Sequence, residues 1–166
     1  MIQREKKAEK LLKEWKKDSY LFGINVLKNT SFFRLGKKEN LVIIINPSEW
    51  LKPYLQQILG CLKHNRLKVK GIISGARPNT PLEDVYRIAE AIMQEQPDWL
   101  LVVGGGSTID AVKAANVLAS LGDDQLANYW GENQVSKKIK QTKKKPVSYT
   151  HLRAHETSLQ LVCRLL

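Results

Sequence analysis

Cysteine is scarce: two in 166 residues leave nothing from which to build a disulfide scaffold, and point to a reducing compartment. Long apolar runs are also lacking, and none approaches the ~20 residues that a membrane-spanning helix needs. The opening Met1-Ile2-Gln3-Arg4-Glu5-Lys6-Lys7 is too charged for the apolar centre of a signal peptide. The three histidines, His64, His151 and His155, complete no Ser/His/Asp or Cys/His arrangement. His151 and His155 are four apart, but Glu156 follows the second His, so the His-Glu-x-x-His order of zinc peptidases is absent. No metal site is expected within the chain. What remains is a cytoplasmic protein with 43% hydrophobic residues, enough for the core of one ordinary domain.

Acidic side chains are outnumbered, 16 against 27 Lys and Arg, for a net charge of +11. The excess lies at the edges of the chain. Residues 1–17 hold seven basic and three acidic side chains, and residues 136–145 hold six Lys and no acid. Residues 18–135 carry 12 of each sign and are neutral. A phosphate-tracking groove spreads basic groups over one face, often with aromatics between them. These runs instead read as a solvated helix at 1–17 and a surface loop at 136–145, so neither nucleic acid nor membrane is expected as a partner. Leu11, Leu12 and Trp15 give the first run a narrow apolar stripe for docking on the domain.

Between these edges strands and helices alternate. Tyr20–Gly23 reads as a short extended segment. Leu41-Val42-Ile43-Ile44-Ile45 is an unbroken β-branched run, the mark of a strand buried on both faces of a parallel sheet. From Trp50 to Leu62, apolar residues recur at offsets 0, 1, 4, 5, 8, 9 and 12, one face of a helix. Val69–Ile73 is the next strand. Gly75–Pro81 is a loop, after which Thr80 is placed to cap a helix with Pro81 at its first position. Leu82, Val85, Ile88, Ala89 and Ile92 form that helix's inward face. Trp99–Val103 is a third buried strand and Ser107–Ser120 a third helix. The pattern predicts an α/β fold with a doubly wound, mostly parallel, Rossmann-like sheet.

The chemistry concentrates at Gly104-Gly105-Gly106-Ser107-Thr108-Ile109-Asp110-Ala111-Val112-Lys113. A buried strand runs straight into three glycines, and a helix begins at Ser107. Glycine lets a ligand approach the backbone closely, and free N–H groups at a helix start favour an anion. The carboxyl end of a parallel strand is where open α/β sheets bind ligands. Together these point to a phosphate group. The spacing matches neither Gly-x-Gly-x-x-Gly nor a Walker loop, since no Gly-Lys-Ser/Thr follows. A tight turn closed by a Ser107/Asp110 capping box accounts for those two side chains without a ligand, but does not require three glycines.

The same decapeptide resembles the signature of the iron-containing (group III) alcohol dehydrogenases. The likeness extends through Tyr20-Leu21-Phe22-Gly23, Pro78-Asn79-Thr80-Pro81 and Trp99–Val103, so residues 18–146 resemble that family's N-terminal, dinucleotide-binding half. The resemblance implies that Gly104, Gly105, Gly106 and Ser107 hold the pyrophosphate of NAD or NADP. It matches Asp110 and Lys113 to a family Asp and Lys, and places Asn79 near the cofactor. Asn46 stands where an acidic residue often contacts the adenosine ribose.

The implied activity is interconversion of a small-molecule alcohol and its aldehyde or ketone by hydride transfer, in a homo-oligomer when full length. The implied Fe²⁺ or Zn²⁺ is bound by one Asp and three His of a C-terminal helical domain, which is expected to be missing here together with the catalytic residues. Glycerol dehydrogenases and dehydroquinate synthases share the glycine turn, and a non-catalytic nucleotide- or phosphate-binding module remains an alternative. Three segments are therefore expected: a basic amphipathic helix at 1–17, a dinucleotide-binding domain at 18–146, and a tail at 147–166. The tail, from Val147-Ser148-Tyr149-Thr150-His151 onward, resembles a translated sequencing adapter and is set apart from the fold.

Overall fold

Two strands that are apolar at every position organise the molecule. The computed structural model describes residues 20–23, 40–122, 125–144, 146–154 and 161–165. In chain order these form β1 (Tyr20–Gly23), β2 (Leu41–Ile45), a 3-10 turn at Glu49–Leu51 running into α1 (Lys52–His64), and β3 (Val69–Ser74). There follow α2 (Leu82–Glu95), β4 (Trp99–Gly104), α3 (Gly106–Leu121), a second 3-10 turn at Leu126–Tyr129, α4 (Gln134–Thr142), β5 (Ser148–Ala154) and β6 (Leu161–Leu165). The N-terminal basic segment lies outside the described residues.

The six strands stand in the order β1-β6-β5-β4-β2-β3. The run β3-β2-β4-β5 is parallel, and β6 and β1 join it antiparallel. Every residue of β2 and β4 is buried, as strands covered on both faces must be. Their alternate side chains feed two separate cores. Leu41, Ile43, Ile45, Trp99, Leu101 and Val103 pack with Leu51, Ile58 and Leu62 beneath α1. Val42, Ile44, Leu100 and Val102 pack with Val85, Ile88 and Ala89 of α2 and with Val112, Ala115 and Leu118 of α3. Each fully buried aliphatic side chain contributes about 1.5–3 kcal/mol relative to exposure. The chain steps outward from β2 through α1 to β3, then back across β2 through α2 to β4, so helices cover opposite faces. The sheet is doubly wound and mostly parallel.

The basic segment at 136–145 is not the surface loop that its lysines suggest. Val135 and Ile139, one turn apart, pack against the α2–α3 core and draw residues 134–142 into a helix, leaving Lys137 and Lys140 exposed. At the far side, β5 pairs with β4 from Ser148 opposite Trp99 to Arg153 opposite Gly104. Entry to β5 is fixed by the buried Asn116 of α3. Its Nδ2 donates to the Val147 carbonyl at 2.7 Å, and its Oδ1 accepts from the Val147 N–H at 3.0 Å. The described part of the tail thus extends the sheet. His151 stands in a strand rather than on a helix, and His155 lies outside the described residues. His64 is exposed in the last turn of α1, where an imidazole suits the helix dipole.

Candidate functional site

The winding direction reverses between β2 and β4, and beyond their carboxyl ends the two connections diverge to opposite faces. Such a reversal opens the crevice in which α/β sheets take ligands. Asn46 ends β2, its N–H donating to the Val103 carbonyl at 2.9 Å. Gly104 ends β4 and leads into α3. All the glycine-turn residues named from the sequence therefore meet at this one crevice.

The three glycines have different reasons to be there. A Cβ on Gly104 would lie 3.1 Å from Thr108 Cβ and 3.2 Å from Asn46 Cβ, so close packing selects glycine. Gly75, just beyond β3, is tighter still, with a Cβ 2.7 Å from Thr108 Cγ2 and 3.1 Å from the Asn46 nitrogen. Gly105 and Gly106 are unlike both: a Cβ on either meets nothing within 4 Å. Gly105 has extended backbone, φ −81° and ψ −175°, which any residue adopts. Neither packing nor backbone geometry demands glycine at 105 or 106. A bare backbone facing open space suits a ligand that lies against it.

Behind that space stand the 16 residues of α3, whose N-cap, Gly105, offers no side-chain cap. The helix start thus keeps unsatisfied N–H groups and the positive end of its dipole, features that favour an anion. The capping box that Ser107 and Asp110 suggest does not form. Asp110 pairs instead with Lys113, one turn on, at 3.1 Å on the exposed face. The Ser107 hydroxyl accepts the Asn79 N–H at 3.2 Å, from the loop between β3 and α2.

That loop, Gly75–Pro81, is laced to its surroundings. Thr80 does not cap α2: it takes left-handed backbone (φ 52°), and its hydroxyl donates to the Ser107 carbonyl at 3.1 Å. Pro81 is the N-cap. Asn79 is left-handed too (φ 65°), a conformation asparagine tolerates better than most residues. Thr108 Oγ1 donates to the Ala76 carbonyl at 3.3 Å. A buried carboxylate anchors the other end, where Asp84 Oδ2 accepts the Arg77 N–H at 2.8 Å and Arg77 Nε at 3.0 Å. Arg87 reaches Asp84 Oδ1 at 3.5 Å and donates to the carbonyls of Ser74 and Gly75 at 2.9 and 2.8 Å. The Arg77 backbone N–H, then its guanidinium, holds the Asp84 carboxyl below its ordinary value, against burial, which pushes it up. The hydrogen bond to Asp84 and then the attraction of that charge raise Arg77 in turn. Neither Asp84 nor Arg87 carries a sequence signal for this, because their partners are brought together only by the fold.

Asn46 turns inward on its own loop, its Oδ1 accepting both the N–H and the hydroxyl of Ser48. Its Nδ2 donates weakly to the Ala76 carbonyl at 3.5 Å. Among the described residues, no three His, Cys, Asp or Glu side chains gather to hold a metal. No described helix is long and apolar enough to cross a membrane.

A doubly wound α/β domain with an open glycine turn at the head of the helix after its central strand is the class that fold and site define. The chain belongs to the iron-containing alcohol dehydrogenases, whose family model matches residues 18–149. Over 61 residues it is 43% identical to an NADPH-dependent butanol dehydrogenase of Clostridium saccharobutylicum, covering 37% of this chain and 16% of that protein. An iron-containing alcohol dehydrogenase of Thermotoga maritima shares the fold at TM-score 0.61 and 16% identity, covering 88% of this chain and 43% of its own. One from Thermococcus thioreducens does so at 0.54 and 21%, over 64% of this chain and 28% of its own. A sulfoacetaldehyde reductase of Bifidobacterium kashiwanohense, solved with NAD+, gives 0.54 and 21%, over 66% and 28%. The chain thus spans less than half the length of each of these relatives.

Proposed function

We propose that residues 18–146 form the dinucleotide-binding part of an NAD(P)-dependent alcohol dehydrogenase, preceded by a basic helix at 1–17 and followed by a tail, 147–166, whose strands add to the edge of the sheet. One observation carries this reading: Gly105 and Gly106 offer bare backbone to open space at the head of a long helix, over the carboxyl ends of the central strands. A pyrophosphate accepts hydrogen bonds and donates none, and here it meets backbone N–H groups, the helix dipole and the Ser107 hydroxyl. Asn79 borders the same crevice through its bond to Ser107. Asn46, at the end of β2, is neutral at the position where an acidic residue would contact the ribose, so no fixed carboxylate there repels a 2′-phosphate.

When bound, the nicotinamide supplies a hydride acceptor or donor for a small-molecule alcohol or aldehyde. The chain's own residues bind and orient; no catalytic side chain is assigned among them. We assign the iron or zinc of the family to a C-terminal helical domain, within a cytoplasmic homo-oligomer.

Titration of the 166-residue chain with NADH and NADPH by nucleotide fluorescence tests the reading, with Gly105→Asp as control. The aspartate would put a Cβ and a negative charge into the cradle. Saturable binding that this substitution abolishes is expected. Absence of binding by the folded chain, or binding that Gly105→Asp leaves intact, would overturn the proposal.

A further inference from the structure

The buried carboxylate of Asp84 lies outside the glycine turn, and the binding of a dinucleotide makes no direct use of it. Its hydrogen bonds nevertheless run toward the cradle. Asp84 receives the backbone N–H and the guanidinium of Arg77, and Arg87, beside it on α2, grips the carbonyls of Ser74 and Gly75. Both ends of the turn out of β3 are thereby fixed. Two residues beyond Arg77, the Asn79 N–H donates to Ser107 Oγ, and the Thr80 hydroxyl donates to the Ser107 carbonyl. Asn79 and Thr80 are consecutive left-handed residues. Such backbone is costly for residues other than glycine, and persists only where the surroundings over-determine it.

This geometry has a consequence for the Ser107 hydroxyl, which carries one donated proton and two acceptor positions. With the Asn79 N–H donating to the oxygen, the hydroxyl's own hydrogen is not spent on Asn79 and is free to be donated to a ligand at the start of α3. An acceptor-only ligand such as a phosphate oxygen needs that donor.

We propose that Asp84 is a positioning residue for the anion site: by fixing the Gly75–Pro81 loop against α3 it presents the Ser107 hydroxyl to the ligand as a donor. This rests on the dinucleotide reading for the ligand, but not for the loop.

The test is the Asp84→Asn substitution in the 166-residue chain, read in two ways. Asparagine keeps the volume but replaces one acceptor oxygen with a donor facing Arg77 or Arg87. Amide hydrogen exchange is expected to speed up at Arg77 and Asn79, while the amides of Ile88 and Ile92 in the α2 interior keep their protection. Affinity for NADPH is expected to fall about tenfold, the loss of one hydrogen bond to a charged group. Arg87→Met, a change at a half-exposed side chain, removes the grip on Ser74 and Gly75 and is expected to loosen the same two amides. This second variant decides the matter if Asp84→Asn fails to fold.

Unchanged exchange at Arg77 and Asn79 in a folded variant would overturn the proposal, as would loosening spread evenly through α2. So would loosened amides with undiminished affinity. Failure of the unsubstituted chain to bind NADH or NADPH would instead strike the dinucleotide reading. The exchange data would then still decide whether Asp84 holds the loop.

Discussion

Gly106→Ala sets stability and ligand binding against each other. Gly106 opens α3, and a Cβ there meets nothing within 4 Å. Alanine restricts the unfolded chain more than glycine and favours the helix, so the substitution should stabilise the fold by about 0.5–1 kcal/mol. For a chain of this size that is a rise of roughly 1–4 °C in Tm. The same methyl enters the space proposed for the pyrophosphate, and about 1–3 kcal/mol of binding should be lost as an overpacked contact, a rise in Kd of roughly 5- to 150-fold. Gly75→Ala is the opposite case, since its Cβ would sit 2.7 Å from Thr108 Cγ2 and 3.1 Å from the Asn46 nitrogen. Backbone cannot yield as a flexible side chain does, so this substitution should destabilise by about 1–3 kcal/mol. Thermal melts by circular dichroism, paired with NADPH titrations, give both readings. A Gly106→Ala variant that melts lower, or that binds as tightly as the parent, would refute the reasoning that the open glycines serve a ligand.

Asn116→Ala removes both hydrogen bonds to Val147 from a buried site and leaves that backbone unpaired, so urea denaturation should show a loss of about 1–3 kcal/mol. Asp84 titrates below its ordinary value in the folded chain, because of Arg77 first. Its stabilisation is therefore present above the ordinary carboxylate range and fades as pH falls through the folded value. The urea midpoint of the parent should be level above about pH 5 and drop toward pH 3, with a shallower drop in Asp84→Asn. Leu101→Ala, at a fully buried position in the core beneath α1, should cost about 2–5 kcal/mol by the same assay.

The central strands and the glycine turn are legible in sequence for local reasons. Leu41–Ile45 and Trp99–Val103 are apolar at every position, which only a strand covered on both faces accommodates. The glycines stand between such a strand and a helix, so their place at the switch point follows from the alternation of elements. The caps were less legible. Thr80 stands just before one helix and Ser107 in the first turn of another, and each has the chemistry of a cap, yet they bond across to one another's segments. A short polar side chain at a helix start has a local and a distant partner, and here the distant one wins. Asp84 is hidden for the same reason, with partners at Arg77 and Arg87 that mean nothing until the loop closes. The lysines of 136–145 mask an apolar pair, Val135 and Ile139, that marks α4.

An NMR titration of the ¹⁵N-labelled 166-residue chain with NADPH tests the central claim most directly, because it reports which backbone groups meet the ligand. The account predicts that the largest shifts fall on the amides of Gly105, Gly106 and Ser107, followed by Asn79, with the interior of α1 unmoved. Saturable shifts centred anywhere other than the start of α3, or none at all in a folded chain, would contradict it.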